Sequence, residues 1–99
     1  MRVTIQSINF DADRKLLEYI HKKVEKLRSL NPSIVDVMVY LRLEKSKEGQ
    51  NKLVEIKTSV PAGEFMSKQR GRTFEEATDL GIDLAKRQLI DAKEKAMAH

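Results

Sequence analysis

Residues 34–44 carry the longest regular alternation in the chain. Successive side chains of an extended strand point to opposite faces. Val35, Val37, Val39, Leu41 and Leu43 therefore share one face, and Asp36, Met38, Tyr40, Arg42 and Glu44 the other. A long strand with one apolar face needs a covering layer on that face alone. This constrains the fold to two layers.

The rest of the chain supplies the second layer. Residues 2–8 alternate as a first strand, with Val3 and Ile5 on one side and Thr4 and Gln6 on the other. Asp11 or Asp13 then caps a helix by accepting from free backbone N–H groups. Leu16, Ile20, Val24 and Leu27 form one buried stripe at helical spacing. Pro32 stops this helix, because proline disfavours the helical conformation in the residue before it. Polar residues Lys45–Asn51 form a loop, and Val54, Ile56, Thr58 and Val60 alternate in a third strand. Pro61-Ala62-Gly63 is a turn into a short fourth strand over 64–70, with Gly63 free to take positive φ.

Thr73 and Glu76 make a capping box for a last helix running to about residue 95. Its apolar positions form two stripes. One is Phe74, Thr78, Gly81, Ala85, Leu89 and Ala92; the other is Ala77, Leu80 and Leu84. The first is mostly small residues, which implies close approach to a sheet. The predicted class is α+β, a two-layer β-α-β-β-β-α fold. Its sheet has four strands, its last three strands form an antiparallel meander, and both helices lie on one face.

The 99 residues, 40% hydrophobic, form one domain over 1–99. There is no cysteine, which excludes disulfides, thiol chemistry and zinc–thiolate sites. No apolar run is long enough to span a membrane, and the first residues lack the apolar region of a signal peptide. A cytoplasmic protein without membrane contact is expected. His21 and His99 have no nucleophile, acid or metal-ligand partner at a recognisable spacing, and the four glycines form no phosphate loop. No enzyme, cofactor, metal or small-molecule substrate is predicted.

Net charge is +4 and the isoelectric point about 9.4. A basic balance suits a polyanionic partner, provided the charges gather. Lys15, Tyr19, Lys22 and Lys26 recur at i, i+4, i+7 and i+11 on the first helix, with Lys23 between. Glu18 and Glu25 fall on its far side. Lys68, Arg70 and Arg72 form a second cluster. The third is the basic end of the last helix, Lys86, Arg87, Lys93 and Lys95, which follows the acids Glu75, Glu76, Asp79 and Asp83. The helix macrodipole explains part of that gradient. With the helices side by side, all three clusters are expected to merge into one surface for phosphates. Tyr19 and Tyr40 are the candidates for stacking on a base; Phe10, Phe65 and Phe74 belong to the core. So few exposed aromatics favour structured RNA over single strands. Leu80, Leu84 and Ile90 are either core or a protein-contact surface.

The chain resembles the ribosome hibernation promoting factor / protein Y family, also named sigma-54 modulation protein or ribosomal subunit interface protein. The resemblance rests on Leu16, Tyr19-Ile20 and Lys23-Val24-Glu25-Lys26-Leu27 in the first helix, and on Val37–Leu43 in the strands. In the last helix it rests on Phe74, Ala77, Ile82-Asp83, Arg87-Gln88-Leu89 and Lys93-Glu94-Lys95. It implies a fold akin to double-stranded RNA-binding domains with an added first strand. It also implies a translation regulator that binds rRNA of the small ribosomal subunit, in the mRNA and tRNA channel of the decoding region. Such a factor holds ribosomes inactive in stationary phase or stress.

The rRNA contacts carried over are Lys23, Lys26, Arg87, Lys93 and Lys95. Lys22, Lys68, Arg70 and Lys86 join them from the charge pattern. Leu84 and Asp91 stand where relatives often have lysine, so the first helix is expected to contribute at least as much as the last. A short form is expected, monomeric when free and without a C-terminal dimerisation domain. The alternatives are a generic structured-RNA-binding module and a protein–protein adaptor in transcription.

Overall fold

The computed structural model describes residues 1–45, 49 and 51–97, with side chains through residue 94. Residues 46–48 and 50 of the expected loop, residues 98 and 99, and the Lys95 side chain lie outside that description. The elements are β1 (Arg2–Ile8), α1 (Arg14–Leu30), β2 (Asp36–Leu43), β3 (Lys52–Val60), β4 (Gly63–Gly71) and α2 (Phe74–Met97). This is the expected order. The sheet order is β1-β2-β3-β4; β1 is parallel to β2, and the last three strands form the expected antiparallel meander. Among the described residues no helix is long and apolar enough to cross a membrane.

Local chemistry sets the ends of the helices. Of the two candidate caps for α1, Asp13 serves: its Oδ1 accepts from the Leu16 N–H at 2.8 Å. At the other end the Asn31 N–H donates to the Leu27 carbonyl and Pro32 follows. The Thr73 hydroxyl accepts from the Glu76 N–H at 3.0 Å, which is one half of the expected capping box. The reciprocal contact from the Glu76 carboxylate is absent among the described residues.

The core lies between the helices and one face of the sheet. Ile20, Val24 and Leu27 from α1 meet Val37, Val39 and Leu41 from β2, with Val54 and Ile56 from β3. Val35 and Leu43 share the alternation but are 56% and 50% exposed. They stand at the two ends of β2, where the helix layer no longer covers the sheet; Ile34 is buried instead. On α2 the small-residue stripe faces the sheet. Thr78, Gly81, Ala85 and Leu89 are buried, whereas Leu80 is exposed and Leu84 only half-buried. A Cβ on Gly81 would stand 3.0 Å from the Ile56 Cδ1, and the Ser67 hydroxyl donates to the Gly81 carbonyl at 2.8 Å. That is the close approach the small residues imply. Phe10 stacks on Phe74 at 5.0 Å between ring centroids and closes one end of the core.

Topology fixes the relative direction of the helices. β1 and β2 are parallel, and β4, two antiparallel steps from β2, runs the same way. Each helix doubles back after a strand of that direction, so α1 and α2 run parallel. Tyr19 meets Asp79, and Leu30 shares a cleft with Ile90, both sixty positions apart. The basic end of α2 therefore lies at the same end of the layer as the last turns of α1. At about 1.5 Å per residue, the last seven or so residues of α2 project past α1.

Candidate nucleic-acid interface

The two helices face each other along matched rows. On α1 the row is Tyr19, Lys23, Lys26 and Leu30; on α2 it is Asp79, Asp83, Lys86, Ile90 and Lys93. Both follow the i, i+4, i+7, i+11 spacing of one helix face. The contact changes in character along its length. It begins with an ionic knot, continues as a lysine-lined cleft and ends as an apolar seam.

At the knot, the Tyr19 hydroxyl donates to both Asp79 carboxylate oxygens, at 2.7 and 2.9 Å. The Lys23 ammonium lies 3.4 Å from the Asp79 Oδ1 and 5.4 Å from the centre of the Tyr19 ring. It thus has a carboxylate and a π-face as partners. The hydrogen bond to Asp79 is the main cause that raises the pKa of Lys23, and Asp79's negative charge adds to it. Hydrogen bonding to Asp79, then burial, raises Tyr19. Lys23 is therefore held charged and already occupied. Tyr19, a stacking candidate by sequence, is likewise committed to Asp79.

One turn on, Lys26 and Lys86 face each other across a cleft of about 190 Å³ that Lys23, Asp79, Ile82 and Asp83 also line. Lys22, Lys26, Arg87 and Lys93 are exposed and Lys86 half-buried. Among the described residues none of these five has an ion-pair partner. Parallel helices thus bring together the cations of α1 and the basic half of α2. The acids of the first half of α2 sit beside the earlier turns of α1, where Asp79 takes up Lys23, while Asp91 and Glu94 fall in the basic half.

The second sequence cluster does not join them. Lys68 and Arg70 alternate with the buried Ser67 and Gly71, so they project from the sheet face opposite the helices. The expected merger into one surface is corrected here to two faces. Arg70 donates to Glu44 at 2.8 Å; this hydrogen bond holds the Glu44 carboxyl below its usual range and raises Arg70 further. Lys68 stands beside Glu55, which Arg42 engages at 2.8 Å. Tyr40 is on this open face as well.

Asp79 is the site residue that sequence reasoning missed. By sequence it belongs with the dipole-matched acids at the start of α2, and only its sixty-residue reach to Tyr19 gives it another part. Leu80 and Ile90 are both 44% exposed but do not form one patch. Ile90 faces Leu30 in the seam, which Leu80 does not line. Among the described residues no three His, Asp or Glu side chains converge on a possible metal position.

The fold is shared with solved structures. A ribosomal subunit interface protein from Coxiella burnetii superposes with a TM-score of 0.85 at 17% identity, over 95% of this chain and 99% of that one. The N-terminal domain of Thermus thermophilus Protein Y gives 0.76 at 20% identity, over 90% and 96%. No curated protein sequence matches the chain. A family model described as Sigma 54 modulation protein / S30EA ribosomal protein matches residues 3–97. With that match over nearly all of its length, and with the two-layer fold and basic helix pair described above, the chain belongs to the Sigma 54 modulation protein / S30EA ribosomal protein family.

Proposed function

We propose that the α1–α2 face docks on rRNA of the small ribosomal subunit, in the channel that mRNA and tRNA occupy. By filling that space it holds ribosomes inactive during stationary phase or stress, in the cytoplasm. One observation carries this reading: Lys22, Lys26, Lys86, Arg87 and Lys93 gather on parallel helices without ion-pair partners among the described residues. Such cations suit phosphates, which position a protein without specifying sequence. Lys95 continues the basic end of α2 in sequence. The names of the family and of the Coxiella burnetii neighbour support a ribosomal partner. Lys23 enters this reading as a residue that must first leave Asp79. Lys68 and Arg70 enter it as a separate contact, made only where rRNA also reaches the open sheet face.

Co-sedimentation with purified small subunits in excess duplex RNA tests the proposal. Binding should survive the competitor and fall by orders of magnitude between low and moderate salt, by analogy with counterion release from duplex DNA. Loss of binding to the competitor would identify a general structured-RNA module instead. Salt-insensitive binding would remove the phosphate contacts from the account.

A further inference from the structure

Past the end of α1 the protein forms an apolar pocket of about 370 Å³. Pro32, Pro61, Phe65 and Leu89 wall it, and Asn31 and Lys93 bring polar groups to it. The Asn31 Oδ1 accepts from the Ser33 N–H at 3.0 Å and from its hydroxyl at 2.6 Å. This fixes the amide plane and leaves the Asn31 Nδ2 without an acceptor among the described residues. The pocket adjoins the interhelical seam: Leu30, Leu89 and Lys93 line both. The Lys26–Lys86 cleft is thus followed, toward the C-terminal end of α2, by the Leu30–Ile90 seam and the pocket. Lys86 and Lys93 are about 10 Å apart along the helix.

We infer that this pocket receives an unpaired nucleobase of the RNA whose phosphates lie on Lys26, Lys86 and Lys93. The inference rests on the docking reading above. A nucleobase has two apolar faces and a polar edge. Proline and phenylalanine surfaces match the faces, and the oriented Asn31 amide offers a donor to an acceptor on the edge. Proteins that read RNA in this way take up bases splayed out of loops and bulges. The volume lies in the range of small-ligand sites. Lys93 at the junction of seam and pocket favours a polyanion over an apolar peptide as the bearer of the inserted group.

Amide NMR of the full chain tests this with three probes: AMP, ribose 5-phosphate and N-acetyl-phenylalanine amide. Millimolar AMP should shift the amides of Asn31, Ser33, Ala62 and Phe65, and ribose 5-phosphate should not. Ala92→Phe, which fills the pocket from α2, should abolish those shifts. It should also weaken small-subunit binding about 10-fold with an unchanged salt slope, since it removes no phosphate contact. Should Ala92→Phe fail to fold, Ala62→Trp blocks the pocket from the exposed turn and carries the same expectation. Equal shifts from ribose 5-phosphate would make this a phosphate site, and shifts from the phenylalanine probe alone a protein-docking site; either overturns the proposal. So would the absence of AMP shifts, or wild-type subunit affinity in a folded, blocked variant. The docking reading fails by a different result: Lys26→Glu/Lys86→Glu binding subunits like wild type at every salt concentration.

Discussion

The helix layer and the open sheet face both carry cations, and they neutralise them differently. On the open face, arginines meet acids: Arg2 pairs with Asp36 and Arg42 with Glu55 across neighbouring strands, and Arg70 reaches Glu44 just past the end of β2. Leu53 belongs to this face, yet it is 1% exposed with no helix above it. Arg42 and Arg70 flank it in register on either side, where their aliphatic stems can cover an apolar neighbour. Those arginines are part of the fold's own construction. In the helix layer Lys23 is absorbed by Asp79, and Arg14 and Arg28 pair with Glu18 and Glu25 of their own helix, while Lys22, Lys26, Lys86, Arg87 and Lys93 have no ion-pair partner among the described residues. What distinguishes the faces is which cations gather: cross-strand arginine–acid pairs on the open face, and a cluster of cations without ion-pair partners among the described residues between the helices.

Charge reversal should break this contrast most sharply if it is wrong. Lys26→Glu/Lys86→Glu should weaken small-subunit binding by about 100-fold at low salt and flatten its salt dependence. Lys57→Glu/Lys68→Glu should change it by no more than about 2-fold, since isolated surface charges away from the docking face contribute little. Equal losses in a fluorescence titration would mean that both faces meet RNA. Next in size, Leu53→Ala should cost about 2 kcal/mol in urea unfolding and leave the affinity of the folded protein unchanged. A loss of affinity without a loss of stability would move the open face from scaffold to site.

Asp79→Asn sharpens the comparison from the helix side. It frees Lys23 for a phosphate, so affinity should rise a few-fold and the salt slope steepen by about one phosphate equivalent. An unchanged slope would show Lys23 to be a packing residue only. The smallest effect is in pH. Tyr19 and Lys23 have folded pKa values raised above their ordinary 10.0 and 10.5. Their contribution is complete below about pH 10 and is lost as pH climbs through the raised values. Glu44 is lowered from its ordinary 4.5, so its contribution is present above that value and is lost as pH falls through the depressed one. Asp79→Asn should flatten only the alkaline limb of a stability–pH curve, and Arg70→Ala only the acid limb. These groups are largely exposed, so both limbs are shallow.

Much of the fold was legible because its signals are local. The β2 alternation, the Asp13 cap, the Pro32 stop and the small-residue stripe of α2 each act within a few residues of chain. The exceptions are instructive. Val35 and Leu43 continue the β2 pattern, but their burial depends on whether the helix layer extends over the strand ends. Lys68 and Arg70 look like part of a single basic surface, but β4 carries no apolar alternation: Phe65 and Met66 are neighbours on opposite faces. Parity there is set by register with β3, where Ser67 pairs with Ile56 and Lys68 with Glu55. The candidate site was legible as lysines on two helices. Its internal partner Asp79 was not, since no periodicity within α2 announces a contact with α1.

By itself the sequence determined the six elements, the two layers, the buried stripes and the presence of cations on both helices, because hydrophobic period and capping are local properties of a chain. The tertiary structure decided which of those cations stand together. Two antiparallel steps from β2 to β4 make the helices parallel and set the basic half of α2 beside the lysines of α1. Pairing with β3 turns Lys68 and Arg70 to the other face. Asp79 meets Lys23 only because the two helices pack in that direction and at that offset.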